Sequence, residues 1–255
     1  MTPARHTELA ANLAAIRARV AAACAAAGRD VSEITLVAVT KTRPAEDVVA
    51  LASLGQGDFG ENRDQEASPK AAAVAEATSD PVRWHFIGQL QSNKASRVVR
   101  YASVVHSVDR VRLVRALGSA SRAAAGAAAA AAPAAAVTAV AAAPAGLTCL
   151  VQVSLDGDPS RGGALISQLP EIAAAIEAEQ GLALGGVMAV APLGVAPETA
   201  FALLRPLSDT VREINPAATI ISAGMSGDLE AAVRNGATHL RIGTALLGNR
   251  SLPVL

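Results

Sequence analysis

Short, nearly continuous apolar runs alternate along this chain with longer stretches in which apolar residues return every three or four positions. The short runs are Ile34–Lys41, Gly57–Gly60, Trp84–Gly88, Ser103–Val108, Thr148–Ser154, Leu184–Val190, Thr219–Gly224 and His239–Gly243, and helical patterns separate them. The first run sets the type. In an extended chain Thr35, Val37, Val39 and Lys41 share one face, and Ile34, Leu36, Ala38 and Thr40 share the other. Both faces are largely apolar, as expected of a parallel strand covered on both sides. Pro44-Ala-Glu-Asp47 then opens a helix with acidic residues in its first turn. Ahead of the first strand, Leu9, Leu13, Ile16 and Val20 form a helical stripe that Gly28 ends.

About eight strand–helix units in a chain of 255 residues predict a single α/β domain over residues 1–255, a (β/α)8 TIM-type barrel with an extra N-terminal helix. An open doubly wound sheet has the same periodicity, although no Gly-x-Gly-x-x-Gly follows the first strand. Residues 116–146 are an alanine-rich, low-complexity segment broken by Arg122, Gly126, Pro133 and Pro144. It has helical propensity but little to bury, and its second half is expected to be a surface insertion.

Charge narrows the choice of partners. Lys+Arg and Asp+Glu balance at 22 each, giving no electrostatic reason to expect nucleic acid or a membrane surface. The early charges of the N-terminus do not resemble a signal peptide, so a cytoplasmic protein is expected. Cys24 and Cys149 lie far apart in apolar surroundings, as reduced structural thiols, and the scattered histidines offer no metal-ligand spacing.

Candidate chemistry starts from Lys41, at the C-terminal end of a strand, where α/β folds place their sites. It either snorkels into solvent or, held among apolar groups, offers an uncharged amine to an aldehyde. Met225-Ser-Gly-Asp228 stands where the seventh strand gives way to a helix, with Ser226 as the expected N-cap. That is a cap alone or an anion site, since helix N-termini hold phosphate and Gly227 permits close approach. Arg241 alternates with Leu240 and Ile242 and shares a face with Gly243, ahead of Thr244. If that face is the barrel interior, the cation requires a partner: a carboxylate in a structural salt bridge, or a ligand. Asn62 and His85 fall at strand ends facing the same rim, in cofactor-contacting or in capping and core roles. Trp84 and Phe86 face the helices. Together, an amine after the first strand, an anion cradle after the last two and an arginine beside it describe a pyridoxal phosphate site. There Lys41 forms a Schiff base and Arg241 faces the pyridine nitrogen.

The stretches Leu36-Val-Ala-Val-Thr-Lys41, Phe59-Gly-Glu-Asn62, Trp84-His-Phe-Ile-Gly88, Leu90-Gln-Ser-Asn-Lys94, Gly224-Met-Ser-Gly-Asp-Leu-Glu230 and Arg241-Ile-Gly-Thr244 resemble the pyridoxal phosphate homeostasis proteins, related in fold to the barrel domain of alanine racemase. The resemblance implies Lys41 as the cofactor lysine, Ser226, Gly243 and Thr244 around the phosphate, and Arg241 at the ring nitrogen. The Met225–Gly227 loop, Asn62 and His85 complete the expected cofactor-binding set, with no metal and no catalytic residue. Arg63-Asp64 replaces a common Tyr-Val of the family, Gln89 a common His and Arg161 a common Lys; these differences bear on loop contacts. The implied function is reversible binding, buffering or delivery of pyridoxal 5′-phosphate by a monomer in transient contact with apoenzymes. The alternative is an amino-acid racemase using the same cofactor. A phosphosugar-metabolising barrel with a Schiff-base lysine would share the phosphate cradle but leaves Arg241 unexplained. Racemisation requires a second acid/base group opposite Lys41. The racemases draw theirs, a tyrosine, from an additional β domain for which the strand–helix pattern leaves no room. The only tyrosine, Tyr101, is expected at the bottom of the barrel, Cys149 and His239 lie towards strand beginnings, and His85 is the remaining candidate.

Overall fold

A computed structural model describes residues 1–131, 146–158 and 162–248. It is a closed barrel of eight parallel strands in sequence order, with β8 returning to β1. The strands are β1 (Thr35–Val39), β2 (Asp58–Glu61), β3 (Arg83–Phe86), β4 (Ala102–Val108), β5 (Leu147–Gln152), β6 (Leu182–Met188), β7 (Ile220–Ser222) and β8 (His239–Ile242). The closed sheet excludes the open alternative. Helix α1 (Pro3–Ala26) precedes β1, and α2 (Ala45–Ser53), α3 (Asp64–Ala77), α4 (Ala95–Val98) and α5 (Val111–Ala131) follow the first four strands. α6 (Leu169–Ala178) follows β5, α7 (Pro197–Phe201) and α8 (Leu204–Ile214) follow β6, α9 (Leu229–Arg234) follows β7, and α10 (Thr244–Leu247) follows β8. The alanine-rich segment is helical as far as Ala131; the insertion expected in its second half, like Arg161, lies outside the described residues.

Alternation divides the core into two. Ala38, Phe59, Trp84, Phe86, Val105, Val151, Leu240 and Ile242 face outward and pack with helix residues into one continuous cluster. As expected, Trp84 and Phe86 are helix-packing residues, and the Phe59 and Trp84 rings lie 5.9 Å apart. Inside the barrel Val104, Leu150 and Met188 form a separate apolar cluster, while His85, His106, Ser222, His239 and Arg241 make a buried polar half.

Helix α1 is long and apolar enough to cross a membrane by length and composition, but Leu9, Leu13, Ile16 and Val20 are buried against the barrel. Its polar residues also reach the barrel. Arg5 donates to Asp47 and to Leu247 O, Asn12 to Leu246 O, and Arg19 to Glu230 and, at 2.8 Å, to Ser226 O. α1 therefore braces the loops that follow β7 and β8.

The register between β5 and β6 shifts as Cys149 faces Leu184 and Leu150 faces Gly186, leaving Gly185 unpaired as a bulge. Gly186 has φ 144°, and a Cβ there would lie 2.0 Å from Ile220 O. Gly186→Ala should therefore lower the unfolding free energy by about 3 kcal/mol, measured by urea denaturation; a loss within experimental error would mean that β7 yields without penalty.

Candidate functional site

Lys41 stands two residues beyond the end of β1, in a turn that an ion network holds from both sides. The buried Lys70 ammonium donates to Glu61 Oε1 at 2.6 Å, to Thr40 O at 2.8 Å and to Glu66 Oε1 at 2.9 Å. Thr40 Oγ1 donates to the same Glu61 oxygen at 2.8 Å, and Thr42 N–H donates to Glu66. Thr42 has φ 63°, rare for a β-branched residue. The carboxylate of Glu66 thus pins a strained residue next to the lysine, while Lys70 and Glu61 fix the residue before it. Burial raises the Glu61 carboxyl above its usual range, with the Lys70 hydrogen bond opposing it.

Beyond β7 the chain turns through Met225–Asp228 before α9 begins at Leu229. Ser226 is not the N-cap, contrary to the sequence expectation: the helix starts later because Asp228 occupies the cap position and its carboxylate accepts from Met225 N–H at 2.5 Å. The Ser226 hydroxyl instead accepts from Ala245 N–H at 3.3 Å, joining this loop to the first turn of α10. The N–H groups of Ser226, Gly227 and Thr244 find no acceptor among the described residues. A Cβ on Gly227 would meet nothing within 4 Å, so its backbone lies open to close approach.

Arg241 points into the barrel and is 5% exposed. Among the described residues it has no carboxylate partner. One guanidinium nitrogen donates to Ser222 Oγ at 2.6 Å and the other to Ala189 O at 2.9 Å. Burial lowers its pKa to about 10, opposed by the charge of Asp228, so it remains a cation at neutral pH. Among the described residues the partners of Arg241 are thus Ser222 and a backbone carbonyl and not a structural salt bridge.

Eight of the nine residues expected to bind cofactor meet in one cavity of about 420 Å³ beyond the C-terminal ends of the strands. Lys41 and Asn62 stand after β1 and β2, Met225, Ser226, Gly227, Gly243 and Thr244 lie in the loops after β7 and β8, with Gly243 beside Val39, and Arg241 reaches the cavity from β8. The ninth, His85, does not line this cavity. It is fully buried in the barrel interior, with Nε2 2.8 Å from Asp58 Oδ1 and Nδ1 2.8 Å from His106 Nε2. The expected rim position is corrected because Asp58, the first residue of β2, draws the imidazole towards the N-terminal end of the strands. Gln89, Gln152, Met188 and Val190 also line the cavity and were not anticipated. At its edge, a Cβ on Gly88 would come within 2.0 Å of Asn62 O, so glycine is needed for β3's exit to cross there.

A closed parallel barrel that presents a lysine after its first strand, and free amide donors after its seventh and eighth, has the form of the alanine racemase barrel domain. A family model described as alanine racemase, N-terminal domain, matches residues 11–251. The pyridoxal phosphate homeostasis protein of Mycobacterium tuberculosis is 45% identical over 98% of this chain and 96% of its own length. The chain belongs to the pyridoxal phosphate homeostasis protein family. A solved structure of PipY from Synechococcus elongatus with PLP bound is 29% identical, covers 94% of this chain and 100% of that one, and superposes with a TM-score of 0.75. The alanine racemase of Corynebacterium glutamicum shares the fold at 14% identity and a TM-score of 0.63, over 98% of this chain and 63% of that one.

The ion network around Lys41's turn generates a stability test. Lys70→Met leaves Glu61 buried without its counter-ion and should cost about 3 kcal/mol or more. Adding Glu61→Gln to that variant should recover part of the loss in urea denaturation, whereas strictly additive losses would mean that the two side chains are not coupled.

Proposed function

We propose that this chain binds pyridoxal 5′-phosphate reversibly at the cavity beyond the strand ends and serves its homeostasis, with Lys41 as anchor. The observation that carries this reading is the convergence of an amine, unsatisfied amide donors and a carboxylate-free arginine on one cavity. The residues fit the cofactor part by part. Ser226, Gly227 and Thr244 offer N–H donors to a phosphate, with the Ser226 and Thr244 hydroxyls beside them. Lys41 is the one primary amine lining the cavity among the described residues. Arg241 meets the ring nitrogen as a donor that does not release its proton. When bound, the cofactor supplies an aldehyde carbon that a primary amine captures reversibly, and the arginine keeps the ring a weak electron sink.

The same wall argues for a carrier over a racemase. Among the described residues lining the cavity, Lys41 and Arg241 are the only titratable side chains. With Arg241 held protonated, no second acid/base group faces Lys41. His85 is turned away towards Asp58, and Tyr101, which precedes β4, has its hydroxyl buried and does not line the cavity. We read the chain as one cytoplasmic domain, a monomer that exchanges its cofactor with apoenzymes through transient contacts.

Adding pyridoxal phosphate should produce a long-wavelength absorption that borohydride removes, with the reduced cofactor attached to Lys41. Lys41→Ala should abolish the band; its survival would move the anchor to another lysine, Lys94 being the first to examine. Unphosphorylated pyridoxal should bind far more weakly, and equal affinity for the two would remove the amide cradle from the reading. Incubation with single-enantiomer amino acids should give no antipode and no α-proton exchange in heavy water at enzymatic rates. Turnover of roughly one per second or faster, lost in Lys41→Ala, would establish the racemase instead.

A further inference from the structure

The polar half of the barrel interior contains side chains for which cofactor binding at the strand ends has no direct use. Starting from Arg241, whose guanidinium nitrogen donates to Ser222 Oγ at 2.6 Å, they form one continuous chain. Ser222 Oγ lies 2.8 Å from His106 Nδ1, His106 Nε2 lies 2.8 Å from His85 Nδ1, and His85 Nε2 lies 2.8 Å from Asp58 Oδ1. Ser222 and both histidines are sealed from solvent. The chain therefore crosses the barrel from the cavity at the C-terminal ends of the strands to the first residue of β2.

Its two ends dictate its direction. A guanidinium only donates and a carboxylate only accepts. Ser222 must accept from Arg241, and with both imidazoles neutral its own proton goes to His106 Nδ1. His106 is then a neutral imidazole with its proton on Nε2, donated to His85 Nδ1. His85 likewise carries its proton on Nε2 and donates it to Asp58. Every internal group gives one hydrogen bond and receives one, with its positive end towards the anion and its negative end towards the cation, so each bond polarises the next. The surroundings agree with this assignment. Burial, with the charge of Arg241, holds His106 well below its usual range. Burial would raise the Asp58 carboxyl, but the His85 hydrogen bond and the Arg83 charge leave it below its usual value. Arg83 Nε approaches Asp58 Oδ1 at 3.1 Å. His239 packs against both rings, with centroids 6.1 and 6.3 Å away, and burial brings it down to about 4.

We propose that Asp58 is a positioning residue for the cofactor site, acting through His85, His106 and Ser222 to hold the Arg241 guanidinium as a fixed donor. The proposal rests on the pyridoxal phosphate reading of the cavity. Its physical content is that a carboxylate at the far end of the barrel acts on the buried cation through oriented neutral groups, in addition to the charge of Asp228 beside the loop. Without Asp58 the imidazoles are free to reverse. His85 Nδ1–H would donate to His106 Nε2, and His106 Nδ1–H to Ser222, which would then receive two donors and release its hold on a defined guanidinium plane.

The test combines ¹⁵N NMR of the imidazoles in the ligand-free full chain at pH 7.5 with pyridoxal phosphate titration followed by absorption. In the unaltered protein both His85 and His106 should be neutral and protonated on Nε2; a second proton on either ring, or an Nδ1–H form, would overturn the chain. Asp58→Leu should convert His106 to the Nδ1–H form and weaken cofactor binding about tenfold, the scale of one buried hydrogen bond. Asp58→Asn keeps an acceptor oxygen and should retain the original tautomers and most of the affinity, which also serves should the leucine variant not fold. Ser222→Ala cuts the chain at the other end: it should weaken the cofactor comparably while both imidazoles keep their Nε2 protons. Unchanged tautomers and affinity in Asp58→Leu, or unchanged affinity in Ser222→Ala, would remove Asp58's role. Failure of the unaltered protein to bind pyridoxal phosphate would defeat the reading of the cavity but leave the tautomer result standing, so the two failures are distinguishable.

Discussion

A guanidinium sealed inside a parallel barrel, with no carboxylate touching it among the described residues, constrains everything around it. Desolvating such a charge is expensive unless its donors are used. Two of them are used, on Ser222 Oγ and Ala189 O. Arg241 also lines the cavity, so its remaining donors favour an acceptor there. The barrel interior has arranged itself accordingly. Its apolar residues, Val104, Leu150 and Met188, gather in one cluster, and its histidines and serine gather beside β8.

The lysine poses the opposite problem. Its backbone leaves the strand and could wander, yet Thr40 and Thr42 on either side are tied to Glu61, Glu66 and Lys70. Three charges are committed to the residues flanking Lys41, and none of them lines the cavity. The Lys41 side chain therefore leaves a rigid stem, which suits the reversible capture of a carbonyl proposed for it.

Period and composition made most of this legible. The all-apolar first strand required cover on both faces, and strict alternation placed Arg241 inside while Leu240 and Ile242 packed outside. The loops around Ser226 and Thr244 followed from the position of glycine and serine after strands. Alternation reports a face but not a depth: it places His85 on the inward face, while its partner Asp58 holds it deep in the interior and away from the rim. Ser226 had the chemistry of a cap, but Asp228, two residues on, competed for that place. His106 and Ser222 come from β4 and β7, and no local pattern could announce that their side chains meet. Glu66 and Lys70 did carry a signal, the four-residue spacing of a helical ion pair. What the sequence withheld was that the pair is turned inward.

The single arginine of α1 that donates to Ser226 O changes what an amino-terminal helix means in this fold. Arg19 clasps Glu230 with two nitrogens and the loop carbonyl with a third, so the docking of α1 and the shape of the loop after β7 are one equilibrium. Thermodynamic reciprocity then applies: whatever an occupant of that loop gains from its ordered shape, the docked helix gains in resistance to detachment. A segment that looks like an appendage to the barrel is in this sense coupled to whatever the loop after β7 holds.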